Sequence, residues 1–264
     1  MPEITLPEPV FARSVHGTGP GLLLAHGAGG SIAANYGPVL DGLTVGRTVV
    51  GVDFPGAGGT PRSLTPLDLD ELADQLVAAA VAEGLETFAV VGYSLGTAVA
   101  IRAAARHPAR VTALVLTAPF ARSSARLRLN AEHWRDLHAS GAHAALAQFL
   151  VPLALGASVL EAVPGDDLDA LVQATAQTLP SGSAEHADLV ARVEVREDLP
   201  LVTVPTLVIS TAEDLLVTPD LHREVADALP GAELVEIPTG HLPFAERPDE
   251  WLKLITTFLD HLAR

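Results

Sequence analysis

Gly92-Tyr93-Ser94-Leu95-Gly96 is the segment that most restricts what this chain can fold into. It follows Thr87-Phe88-Ala89-Val90-Val91, which reads as a buried strand, and it precedes Thr97 to Ala105, which reads as a helix. A serine at a tight strand-to-helix turn is forced out of the sheet edge with its hydroxyl exposed. A Cβ two residues before or two residues after it would collide with the neighbouring strand or helix, so both positions need glycine. The helix that starts here also points free backbone N–H groups at the serine, where they stabilise negative charge.

The rest of the chain supplies the sheet that such a turn requires. Leu22 to Ala25, Thr48 to Val52, Phe88 to Val91 and Leu114 to Leu116 are continuous apolar runs, and helical spacing fills Ile32 to Leu40, Leu67 to Glu83 and Leu95 to His107. Continuous rather than alternating runs suit parallel strands covered on both faces, so the class is α/β with a doubly wound, mostly parallel sheet. The alternation stops after Pro119. From Phe120 to Asp198 the chain reads as helices without strands: Ser123 to Ala139, Ala142 to Ala154, Leu168 to Leu179 and Glu185 to Val193. Strands resume at Thr206 to Ile209 and Leu234 to Ile237, with helices at Pro219 to Leu229 and Pro248 to Leu262. The expected division is a sheet core of residues 1–119 and 199–264 and a helical insertion of residues 120–198, placed as a lid over the C-terminal edge of the sheet.

With 264 residues and 48% hydrophobic content, the chain can bury one large core. The formal charge of −16 argues against nucleic acid and anionic membranes as partners. No apolar run approaches the roughly 20 residues that span a bilayer, and Met1 to Thr5 lacks the basic start of a signal peptide. A cytoplasmic location is the expectation. With no cysteine in the chain, disulfides, thiolate chemistry and cysteine metal sites are excluded.

An exposed serine is a poor nucleophile until a base takes its proton, and the base is best a histidine held by a buried carboxylate. Of ten histidines, His241 stands out. It lies in Pro238-Thr239-Gly240-His241-Leu242-Pro243, directly after the last strand, where open α/β sheets place their sites. The carboxylate is assigned to Asp214, in the loop after Leu207-Val208-Ile209. Glu213 is its neighbour and competitor, but one residue of offset aims it elsewhere. The end of the preceding strand holds Ala118-Pro119 and offers no acid. An oxyanion needs two preorganised donors. The N–H of Leu95 is one. The second is expected from His26-Gly27-Ala28-Gly29-Gly30, with Ala28 N–H preferred and Gly29 the alternative; His26 itself reads as structural.

Together these segments resemble the α/β-hydrolase superfamily over nearly the whole chain. The His-Gly loop, the Asp53-Phe54-Pro55-Gly56-Ala57-Gly58 loop, the Ser94 turn, the helical insertion, Asp214 and Gly240-His241 carry the resemblance. It implies a lid inserted after the sixth strand and hydrolysis of a carboxylic ester, lactone or thioester through an acyl-enzyme on Ser94, with no metal and no organic cofactor. Asp53 would brace its loop. A serine in place of an aspartate nucleophile, and the lack of tyrosines in the insertion, disfavour the haloalkane dehalogenases and epoxide hydrolases of this fold. The His-Gly-Ala-Gly-Gly sequence is more similar to the lid-bearing lactonase, esterase and thioesterase branch. C–C bond hydrolysis, perhydrolysis or a cyclisation or lyase step use the same groups; a non-catalytic binding protein has no need of all three.

The expected pocket is apolar and holds a small-molecule substrate with a medium-sized acyl or lactone group. Tyr93 beside the serine, Tyr36 after the oxyanion loop, and Phe120, Trp134 and Phe149 in the insertion are expected to line it. Arg122, Arg126, Arg128 and Arg135 read as the solvated face of amphipathic helices, or alternatively as contacts for a carboxylate or a phosphopantetheine-bearing carrier protein.

Overall fold

Residues 4–262 are described by a computed structural model, and a seven-stranded sheet lies at their centre. The strands are β1 (Arg13–His16), β2 (Gly21–Ala25), β3 (Thr48–Val52), β4 (Phe88–Tyr93), β5 (Val111–Thr117), β6 (Thr206–Thr211) and β7 (Glu233–Ile237). Their spatial order is β1-β3-β2-β4-β5-β6-β7. Only β1 runs antiparallel, against β3; the other pairs are parallel. The helices are α1 (Ile32–Tyr36), α2 (Leu40–Leu43), α3 (Leu69–Ala82), α4 (Leu95–Arg106), α5 (Ala125–Ala139), α6 (His143–Ala154), α7 (Ala157–Ala162), α8 (Gly165–Thr178), α9 (Ser183–Arg192), α10 (Pro219–Ala228), α11 (Pro243–Glu246) and α12 (Pro248–Leu262).

The apolar runs are continuous because both faces of the sheet are covered. Leu23, Val50 and Val90 point into a core shared with α3 and α4, while Leu22, Val49 and Val91 point into one shared with α1 and α12. Trp251 of α12 is fully buried in the second core, stacks on Tyr36 and donates its indole N–H to Thr117 Oγ1 at 2.9 Å. The helix expected over Ile32 to Leu40 is broken by a 3₁₀ turn at Gly37–Val39, where Pro38 supplies no N–H.

Helices α5 to α9 lie between β5 and β6, as the loss of alternation predicts. The two ends of this block are laced together: Ser123 N–H donates to Val193 O, and Val195 N–H to Ala121 O. An isolated bridge between Arg122 and Glu194 therefore interrupts a segment expected to hold helices alone. Counted in this chain the block follows the fifth strand, one earlier than expected, because β1 alone precedes β2 among the described residues. Trp134, Leu146, Leu150 and Ala187 of the block form a separate apolar cluster with Leu216. No helix among the described residues is long and apolar enough to cross a membrane.

Close approach at the β4–α4 turn fixes where the site sits. A Cβ on Gly92 would lie 2.6 Å from Gly96 O, and one on Gly96 would lie 2.0 Å from Ala25 O, so α4 rests directly on the end of β2. Both obstacles are backbone atoms and cannot rotate away. Gly96→Ala is expected to cost about 3 kcal/mol through overpacking and to lower the melting temperature by roughly 6–12 °C. A calorimetric midpoint equal to that of the unsubstituted protein would contradict this packing.

Candidate active site

Ser94 follows β4 and caps α4 with φ 52° and ψ −120°, a backbone region that costs a non-glycine residue about 1–3 kcal/mol. Its N–H is tied to Thr117 O of the adjacent strand at 3.0 Å. The strained turn lifts the side chain off the strand end, and Ser94 Oγ meets His241 Nε2 at 3.0 Å. His241 Nδ1 meets Asp214 Oδ2 at 2.6 Å. These three residues, separated in sequence by up to 147 positions, are brought into contact.

Asp214 is buried at the end of β6 and is surrounded by donors. Its Oδ1 accepts from Leu216 N–H and Val217 N–H, each at 2.9 Å, and its Oδ2 accepts from Thr211 Oγ1 at 2.9 Å. With the imidazole, four donors face one carboxylate, and their hydrogen bonds fix its orientation. His241 Nδ1 then carries a proton, and Nε2 is left to accept from the serine hydroxyl. Glu213 is half-buried and points away, toward Gly156.

The loop expected to bind an oxyanion follows β2. Ala28 N–H and Leu95 N–H bond to no other described group, whereas Gly29 N–H is already engaged with His186 Nδ1 at 3.1 Å. That distinguishes Ala28 from Gly29 as the available donor beside Ser94. Asn35 Oδ1 accepts from Gly27 N–H at 3.0 Å, and Gly30 N–H bonds Gly27 O at 3.2 Å. Asp53 braces as expected, accepting from Ile32 N–H and Gly59 N–H. His26 is internal to the loops: Nε2 accepts from Phe54 N–H and Nδ1 donates to Gly27 O, both at 2.8 Å.

A cavity of about 380 Å³ opens above Ser94 and His241. Phe120, Leu127, Trp134, Leu150, Val151 and Leu216 form much of its wall, and no Asp, Glu, Lys or Arg side chain lines it among the described residues. Phe120 and Trp134 are thus where the sequence reading put them. Tyr36 is not: it is fully buried in the sheet core and donates its hydroxyl to Ala25 O and Val91 O, bracing the ends of β2 and β4. Phe149 also lies outside the cavity wall, because its ring turns to pack edge-on against His133. Tyr93 reaches the cavity but has a second task, donating its hydroxyl to His241 O at 2.8 Å. The arginines of the block face outward. Arg122 pairs with Glu224, Arg128 with Glu132, and Arg135 with Asp136 and Asp188.

Several groups at the site were not legible from the sequence. Ala154 O, at the end of α6, accepts from His241 N–H at 2.6 Å. Glu246 spans the same junction, with Oε2 accepting from Gly240 N–H and Oε1 from Gly156 N–H. Burial raises its pKa. His186 and His222 are further buried histidines with no local motif around them. His222 packs behind Asp214, with Nε2 at 3.9 Å from Oδ2, and its Nδ1 pairs with Ser210 Oγ at 3.1 Å.

Burial pushes His26 down to about 4, His186 to about 3 and His222 to about 4, against 6.5 for an exposed imidazole. The unfolded chain therefore binds protons between pH 6.5 and 4 that the folded chain does not. Their stability contribution is complete above pH 6.5 and declines as pH falls through this window, by about 1.4 kcal/mol per histidine per pH unit. Unfolding at pH 5.5 is expected to take up about three protons from these groups. Proton uptake near zero, measured by calorimetry in buffers of different ionisation enthalpy, would show that they are charged in the folded state.

The description "alpha/beta hydrolase fold" belongs to the family model that matches residues 20–248. Among curated relatives, the pyrrolizixenacetamide deacetylase of Xenorhabdus hominickii is 32% identical over 261 residues, covering 98% of both chains. A pimeloyl-[acyl-carrier protein] methyl ester esterase of Neisseria meningitidis is 29% identical over 222 residues, 80% of this chain and 68% of that one. Among solved structures, the enol-lactonase from Burkholderia xenovorans LB400 superposes with a TM-score of 0.79 at 24% identity, covering 95% of this chain and 96% of that one. An alpha/beta hydrolase from a Medee basin deep-sea metagenome library reaches 0.86 at 20% identity, with 95% and 94% covered, a likeness of fold. With the motif order, the sheet topology and the family match in agreement, this chain belongs to the alpha/beta hydrolase fold family and is an enzyme of it.

Proposed function

We propose that this chain hydrolyses an uncharged carboxylic ester, lactone or thioester through an acyl-enzyme on Ser94. The observation that carries the reading is the hydrogen-bonded line from Ser94 Oγ through His241 to Asp214, at 3.0 and 2.6 Å, on the floor of an apolar cavity.

The chemistry follows from that line. His241 Nε2 takes the hydroxyl proton as Ser94 Oγ adds to the carbonyl carbon. Asp214 holds the tautomer and stabilises the imidazolium that forms. The carbonyl oxygen becomes an anion within reach of Ala28 N–H and Leu95 N–H, donors of a kind worth roughly 3–4 kcal/mol each at such sites. Collapse of the tetrahedral adduct passes the proton from His241 to the leaving group. Water then adds to the acyl-enzyme by the same relay and frees the acid. Helices α5 to α9 serve as the lid, excluding bulk water and selecting the substrate by shape.

The absence of charged wall residues supports an uncharged substrate. A carboxylate placed against Phe120, Leu127 and Val151 would lose its hydration without a partner. None of the arginines of the block lines the cavity, so a free small molecule fits better than the carrier-bound one in the name of the Neisseria relative. The Xenorhabdus relative is named a deacetylase of an acetamide. Its match over 98% of this chain supports a second reading, an amide substrate cleaved by the same groups, with His241 protonating the departing amine.

Chromogenic acetyl and butyryl esters are expected to turn over, and a succinate half-ester of the same alcohol at least about 100-fold less efficiently in kcat/KM. Ser94→Ala should lower kcat by about 10⁴-fold or more without unfolding the protein. Asp214→Asn should cost far more activity than Glu213→Gln. Turnover unchanged in Ser94→Ala would refute the acyl-enzyme, and a preference for the half-ester would refute the substrate class.

A further inference from the structure

We propose that His186 is a positioning residue for the oxyanion hole, through which helix α9 of the inserted block holds the Gly27–Gly30 loop in the shape that presents Ala28 N–H. The inference rests on the acyl-enzyme reading above and adds to it a role for a residue 157 positions from Gly29.

His186 is fully buried. Its Nδ1 accepts from Gly29 N–H at 3.1 Å, so its proton is on Nε2, which donates to Pro55 O at 2.9 Å. One imidazole thus joins the lid helix, the oxyanion loop and the loop after β3. His26 does the complementary work with the opposite tautomer, accepting from Phe54 N–H and donating to Gly27 O. The two rings and Phe54 pack together, with centroids 4.3 to 6.5 Å apart.

Planarity makes these bonds matter for Ala28. In a trans peptide the N–H points opposite to the preceding C=O. His26 and Gly30 N–H hold Gly27 O, which turns Ala28 N–H the other way. His186 holds Gly29 N–H, which fixes the peptide on the far side of Ala28. Both planes that flank the donor are therefore pinned, one by a histidine of the loop and one by a histidine of the lid. Gly29 has φ +67° and no Cβ, and the Trp134 ring occupies the space a Cβ would fill. The His186 acceptor is the hydrogen-bond partner that Gly29 N–H has among the described residues. Burial keeps His186 neutral at ordinary pH, so the accepting lone pair is always present.

A merely structural anchor and a positioning residue predict different kinetics. His186→Leu removes both hydrogen bonds at similar volume. The expected result is a loss of about 50-fold in kcat toward a chromogenic ester, with KM within about threefold. Affinity for a boronic acid, which forms a tetrahedral anion on Ser94, should fall by the same factor as kcat. His186→Gln carries both an acceptor and a donor and should recover most of the loss. Arg62→Gln removes the neighbouring tie between the Asp53 loop and α9, the 2.9 Å contact of Arg62 Nε with Glu185 Oε1, without touching the oxyanion loop; it should leave kcat unchanged. His186→Phe, which keeps a ring against Phe54, serves if the leucine variant does not fold. A folded His186→Leu or His186→Phe with unaltered kcat and boronate affinity overturns the proposal. So does an equal loss in Arg62→Gln, or failure of both variants to fold, which would make His186 a folding residue. If the unsubstituted enzyme shows no Ser94-dependent turnover, it is the acyl-enzyme reading that fails instead.

Discussion

An L-residue at φ 52° and ψ −120° persists only where its surroundings leave no alternative, and at Ser94 the alternatives are removed by backbone contacts. Gly92 and Gly96 let β4, α4 and the end of β2 approach within distances that admit no side chain. The bond from Ser94 N–H to Thr117 O ties the turn to β5 as well. The hydroxyl is consequently held above the middle of the sheet, at the C-terminal ends of the parallel strands. The loops after β2, β6 and β7 emerge at that same edge, so the donors, the acid and the imidazole can meet it without any long excursion of the chain.

The helical block is joined to this edge by polar contacts on both sides of the cavity. On the histidine side, Ala154 O receives His241 N–H, and Glu246 links Gly240 to Gly156 across the junction. On the oxyanion side, His186 links Gly29 to Pro55, and Gly182 N–H reaches Gly56 O. The block thus touches the supports of the proposed base and of the proposed anion site at once. Its apolar faces, led by Trp134 and Leu150, then close a space with no Asp, Glu, Lys or Arg side chain in its wall among the described residues. Binding selectivity in such a space comes from shape and from the cost of stripping water from charged groups.

The parts of the site that could be read from the sequence are those whose chemistry is local. Ser94 between two glycines, His241 just past a strand and Asp214 at another strand end each carry their context within a few residues. In the turn after β6 the carboxylate of Asp214 meets His241, whereas that of Glu213 lies toward Gly156. Side-chain facing on helices was not. Tyr36 and Phe149 are aromatic neighbours of the site in sequence, yet Tyr36 turns inward to the carbonyls of two strands and Phe149 turns to His133. Helix-on-helix packing decides such directions, and a spacing pattern alone does not hold that information. His186 was illegible because its partners lie in loops far from it in sequence, and the insertion follows the fifth strand, not the sixth, because among the described residues β1 alone precedes β2.

Ser94 is proposed as a nucleophile activated by its contact with His241. Treating the folded protein with a fluorophosphonate and weighing it intact tests this without any knowledge of the natural substrate. The account predicts one adduct per chain, mapped by peptide sequencing to Ser94 and lost in heat-unfolded protein. No adduct on the folded protein, or one mapped to another hydroxyl, would contradict it.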